Sequence, residues 1–176
     1  MCIRDRIWNE GSKVKNLKEV DPSLPDTELS LFGPGTDSGT FDFFTDEING
    51  EEGVSRKDYQ PSEDDNVLVQ GVEGEAGGLG YFGFSYYEQN QDKLNLVDID
   101  GGAGCVTPSS ETIQSGEYKP LARPIFMYPS AKALQRPEVK AFMDYVLANQ
   151  ESIAEASQII PMNQTQADEA TTALGS

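Results

Sequence analysis

Hydrophobic positions recur at two different periods along this chain. Phe41, Phe44, Thr45 and Ile48 fall on one face at helical spacing, with Ser38 as a good N-cap and Asn49-Gly50 as the stop. Just before them, Leu29-Ser30-Leu31-Phe32 reads as a short buried strand. Strand, glycine loop and helix together predict an α/β arrangement, in which ligands sit at strand carboxyl ends. Gly78 to Gly83 alternates glycine with Leu, Tyr and Phe, the pattern of a buried strand closely crossed by another backbone. Ser62-Glu63-Asp64-Asp65 reads as an N-cap and acidic first turn, followed by a helix burying Val67, Leu68 and Val72.

The second half gives a looser pattern. Leu94 to Ile99 reads as a strand ending in a glycine turn, Thr112 to Tyr118 as a short helix or turn, and Leu121 to Tyr128 as a strand with an irregular point at Pro124. Pro137 opens the best helix, whose apolar stripe is Val139, Phe142, Met143, Val146, Leu147 and Ile153. At the other end, Ile7 to Leu31 is extended and loop-rich, with Trp8 and Leu17 as core anchors.

The chemistry concentrates in Gly33-Pro34-Gly35-Thr36-Asp37-Ser38-Gly39-Thr40. A helix start presents unpaired N–H groups and roughly half a positive charge, which makes a seat for an oxyanion. Gly39 lets the backbone approach a ligand, and hydroxyls of Thr36, Ser38 and Thr40 add donors. The plain alternative is a helix cap with no ligand.

Charge then removes whole classes of partner. The 176 residues carry 30 acidic and 13 basic side chains, a net charge of −17. Nucleic acid needs Lys/Arg neutralisation of its phosphates, so it is not an expected partner, and an anionic membrane surface is disfavoured for the same reason. A small anion is still compatible, because backbone dipoles can bind it locally while the global charge is screened. The chain has no His, which removes Cys-His and Ser-His-Asp machinery. Cys105 stands apart from Cys2 and reads as a small hydrophobe. No spacing suggests a metal site or a cofactor. Gly78-Leu79-Gly80-Tyr81-Phe82-Gly83 fits a dinucleotide fingerprint but follows a turn instead of a strand, and Asp98-Ile99-Asp100-Gly101-Gly102 lacks the later ligands of a calcium loop.

Several segments, in order, resemble the periplasmic phosphate-binding proteins of ABC phosphate importers. They are Ile7-Trp8-Asn9-Glu10, Asp21 to Pro25, the loop and helix from Gly33 to Ile48, Ser55 to Tyr59 with Ser62 to Val72, Gly78 to Gly83, and Pro108-Ser109 with Tyr118 to Tyr128. The resemblance covers Ile7 to about Pro161. It implies a periplasmic-binding-protein-like (type II) α/β fold: residues 7–118 as a second lobe with the oxyanion loop, residues 119–162 as the return strand and carboxy-terminal helix of a first lobe, and residues 163–176 as a flexible tail. It further implies an incomplete chain, inorganic phosphate as ligand, no catalysis, a membrane permease as partner, a monomeric state when complete and an extracytoplasmic location.

The resemblance assigns phosphate contact to Ser38, Gly39 and Thr40, with Thr36 and Asp37 as further candidates. Many members carry an Arg four residues before that Ser; this chain has Pro34. Arg56 is the substitute expected to supply the charge, since a planar five-donor fork suits a tetrahedral oxyanion. Arg123 is expected to make a structural ion pair near a hinge. A phosphate-ester enzyme, or a surface protein of the same fold, is the alternative function. Residues 1–6, Met1-Cys2-Ile3-Arg4-Asp5-Arg6, read as a translated sequencing-adapter end.

Overall fold

The computed structural model describes residues 6–175, so the expected leader lies outside the described residues except for Arg6. After a helical turn at residues 6–7, the described chain passes through a loop to a single-turn helix, α1 (Leu17–Val20). It then enters β1 (Ser30–Gly33), passes the glycine loop, and continues into α2 (Gly39–Phe44). One wider turn of π-helix, Thr45–Asn49, extends α2 directly. At this junction the Thr45 hydroxyl shares its one proton between the carbonyls of Phe41 (2.8 Å) and Asp42 (3.0 Å), adding a side-chain donor to the backbone ladder. Gly50 stops the helix with a left-handed φ of 83°, as the Asn-Gly pair predicts.

Next come β2 (Gln60–Pro61), α3 (Asp65–Gly74) and β3 (Gly78–Gly80). The three strands form one parallel sheet in the order β2-β1-β3, with Gly33 opposite Pro61 and Phe32 opposite both Gln60 and Gly80. Successive side chains of β1 leave opposite faces. Leu31 joins Phe44, Ile48, Ile7, Trp8 and Val20 in the main core, while the ring of Phe32 lies against Gly71 of α3. Helices therefore cover both faces of the sheet. Trp8 is the hub of the core: its ring makes edge contacts to Phe44 (5.8 Å), Tyr59 (6.0 Å) and Tyr81 (4.9 Å). Such pairs add roughly 0.5–1.5 kcal/mol each beyond burial.

Some expected details shift. Asp64, not Ser62, caps α3, accepting from the Asn66 amide at 3.0 Å. The buried pair on α3 is Leu68 and Val69, and Val67 faces water. Leu17 is half-buried, and Val20 fills the core beside Trp8 instead.

The rest of the chain departs further. It contains α4 (Phe84–Glu88), the two-residue strands β4 (Ile99–Asp100) and β5 (Cys105–Val106), and α5 (Ser110–Gln114). The strand expected at Leu94 to Ile99 shrinks to its last residue, because β5 offers only a two-residue antiparallel ladder. Leu121 to Tyr128 forms no strand at all; among the described residues no strand lies beside it to make a ladder, and the Ala122 amide turns back to the Tyr118 carbonyl at 3.0 Å. The helix opened by Pro137 is broken at Asn149 into α6 (Pro137–Ala148) and α7 (Gln150–Ala156). The segment expected as a flexible tail holds a helix, α8 (Gln164–Leu174), closed by an Asn163/Gln166 capping box and a left-handed Gly175. No helix among the described residues is long and apolar enough to cross a membrane.

Candidate functional site

The parallel ladder places the site. Beyond the strands, the Ser62 amide still donates to the Gly33 carbonyl (3.1 Å) and the Tyr81 amide to the Phe32 carbonyl (3.3 Å). The carboxyl end of β1 is thus held from both sides, and the loop starts from a fixed point. Tyr59 Oη then donates to the Pro34 carbonyl at 2.9 Å. Leu31 to Gly35 are buried, whereas Thr36, Asp37 and Gly39 are exposed and Ser38 and Thr40 half-buried. A rigid, covered stem therefore carries an open tip.

At the tip Ser38 caps α2: its Oγ accepts from the Thr40 amide at 3.1 Å. The Ser38 amide donates to the Gly35 carbonyl at 3.2 Å, and the Asp37 amide to Glu63 Oε1 at 3.4 Å. These amides have internal acceptors in this conformation. The donors left to face an anion are the Gly39 N–H, which as the first helical residue has no intrahelical acceptor, and the hydroxyls of Thr36, Ser38 and Thr40.

Arg56 does not offer the expected free fork. It is buried at 5 % exposure. Its Nε and Nη2 grip Asp58 bidentately at 2.6 and 2.8 Å, and its Nη1 donates to the carbonyls of Ile7 (2.9 Å) and Val14 (3.0 Å). Four of the five N–H groups are thereby used, leaving at most one for a ligand. The guanidinium hydrogen-bonded to Asp58 holds that carboxyl down to about 2, from 3.8. Arg56 nonetheless borders a hollow of about 510 Å³ together with Gly35, Thr36, Phe41, Tyr59 and Glu63. Thr36 and Arg56 share this hollow; Ser38, Gly39 and Thr40 lie outside its lining.

Arg123, expected in an ion pair, instead donates from Nη2 to the Gly39 carbonyl at 2.9 Å and lies 4.5 Å over the Phe43 ring. Among the described residues it has no carboxylate partner. It therefore brings a second cation to the start of α2. Glu63 is the other arrival that the sequence did not announce. Its carboxylate lies against Gly35, where an added Cβ would collide with Oε1. Burial first, and then the charge of Glu63, push the Tyr59 hydroxyl up from its ordinary range. The only hint in the sequence was the acidic run after Pro61, which also suits a plain helix cap. No His/Cys/Asp/Glu cluster among the described residues could hold a metal ion.

The profile of the PBP superfamily domain matches residues 4–150. Protein SphX of a Synechocystis species is 44% identical over 160 residues, which span 89% of this chain and 48% of that protein. The phosphate-binding protein PstS of Staphylococcus haemolyticus is 36% identical over 167 residues, 93% of this chain and 51% of its own. The chain thus spans about half the length of the curated relatives it matches. A crystal structure of a possible phosphate binding protein from Planctomyces limnophilus superposes with a TM-score of 0.87 at 39% identity, over 99% of this chain and 63% of that one. With its parallel α/β sheet and the match to residues 4–150, this chain belongs to the PBP superfamily.

Proposed function

We propose that this chain provides the phosphate-holding lobe of an extracytoplasmic solute-binding protein serving an ABC importer. One observation carries the reading: a Ser-capped, solvent-reachable helix start stands at the carboxyl end of the central strand of a parallel sheet. Relatives at 36–44% identity that include proteins named for phosphate binding support it. Residues 7–118 act as the second lobe, and residues 119–162 run back toward a first lobe. The two lobes close about a hinge on inorganic phosphate. The Gly39 amide and the hydroxyls of Thr36, Ser38 and Thr40 donate to the phosphate oxygens, and Asp37 borders the ligand. Arg56, which borders the adjoining hollow with Thr36, contributes at most its one remaining N–H. No bond of the ligand is made or broken; it is captured and handed, by a monomer, to a membrane permease.

The test is calorimetric titration of the full-length protein with phosphate. Hydrogen bonds to a charged group are worth about 1.5–3 kcal/mol each, so Ser38→Ala with Thr40→Ala is expected to weaken binding about a hundredfold or more. An unchanged affinity removes the assignment.

A further inference from the structure

We infer that Glu63 is a tethered placeholder for the anion: its carboxylate occupies the loop until the ligand displaces it. This rests on the phosphate-binding reading above. The placement follows from the sheet register. Gly33 pairs with Pro61 in the parallel β1–β2 ladder, and the Ser62 amide extends that ladder by donating to Gly33. Two residues further on each strand, Glu63 stands beside Gly35. No side chain at Gly35 holds it off; a Cβ there would collide with its Oε1. Oε1 accepts from the Asp37 amide at 3.4 Å, one of the loop's outward N–H groups. The same carboxylate borders the hollow that Thr36 and Arg56 line.

An anionic oxygen at a loop amide is the chemistry expected of the ligand itself. Glu63 is exposed, and among the described residues its carboxylate accepts one hydrogen bond, at 3.4 Å, so it can swing aside. While in place it satisfies the Asp37 amide, one loop donor that an anion would otherwise meet. Its negative charge also repels an arriving anion. The site therefore trades affinity for a filled resting state.

The experiment compares the full-length protein with Glu63→Gln and Glu63→Ala, titrated with inorganic phosphate and, separately, with sulfate. Removing one unit charge about 4 Å from the ligand in water corresponds to about fivefold in affinity, so both variants should bind phosphate about fivefold tighter or more, and sulfate should gain as well. Phosphate binding by the wild type with no gain in either variant overturns this inference and leaves the phosphate-binding reading standing. Weaker phosphate binding in Glu63→Gln with stronger sulfate binding also overturns it, because Glu63 would then accept a proton from the bound ligand. Phosphate binding by the variants alone supports it. Absence of phosphate binding in all three proteins removes both readings.

Discussion

Two helices of this molecule carry comparable apolar stripes and meet different fates. On α2 and its π-turn, Phe41, Phe44, Thr45 and Ile48 are all buried, as their spacing predicts. On α6 the stripe of Val139, Phe142, Met143, Val146 and Leu147 contains no buried residue, and Phe142 is 56% exposed. Periodicity specifies a face, whereas burial requires something packed against it. For α2 that partner is close in sequence: Leu31 of β1 and Trp8 at the start of the chain. For α6 the described residues supply no sheet. Ahead of it in the chain, Ile125, Phe126, Met127 and Tyr128 are all more than half exposed. Beyond residue 100, Pro108 and Ala154 are the only buried positions among the described residues. The molecule is a covered α/β layer followed by a segment whose apolar side is largely bare.

The sharpest way to break this contrast is to truncate the matching ring on each helix. Phe44→Ala is expected to cost about 4 kcal/mol of unfolding free energy, since a fully packed aromatic is lost. Phe142→Ala in the same chain should stay within about 0.5 kcal/mol. Urea denaturation monitored by circular dichroism measures both, and equal losses would dissolve the contrast. Next in size is Arg56→Lys. A single ammonium cannot hold Asp58 bidentately and also reach the carbonyls of Ile7 and Val14, so about 3 kcal/mol should be lost. The same denaturation reads that loss; an unchanged midpoint would mean that Arg56 does not tie the start of the chain to the sheet.

The smallest expected effect is acid sensitivity. The Asp58 carboxyl is depressed from 3.8 to about 2 in the folded state, so its contribution is complete above pH 4 and is lost as pH falls toward 2. Its side chain is 52% exposed, so solvent screening keeps the contribution small. Asp58→Asn should flatten the stability profile across that window. An unaltered acid limb would show that other carboxylates set it.

The loop was the most legible part of the sequence because every signal there is local. Ser38 caps, four residues at helical spacing bury, and Asn49-Gly50 stops the helix, all within about three turns. The contacts of Arg56 were hidden for the opposite reason. Two of its acceptors are backbone carbonyls 42 and 49 residues away, which no side-chain pattern announces. The Arg56-Lys57-Asp58 spacing did hold the ion pair in view. The position of Glu63 follows from strand register, which a two-residue strand barely encodes. Leu121 to Tyr128 shows a strand-like composition without a ladder partner, and propensity alone does not make a strand. The helix α8 was legible and missed: Asn163-x-x-Gln166 is a capping-box signature that weak amphipathicity hid.

Trp8 is the only tryptophan in the chain. Its indole touches Tyr59, whose hydroxyl grips the Pro34 carbonyl in the loop, and Phe44, which continues the helix that the loop begins. Any rearrangement of that loop must tug on the surroundings of a single fluorophore. The molecule carries its own unlabelled optical gauge, so a shift in indole emission can follow occupancy of the loop in real time.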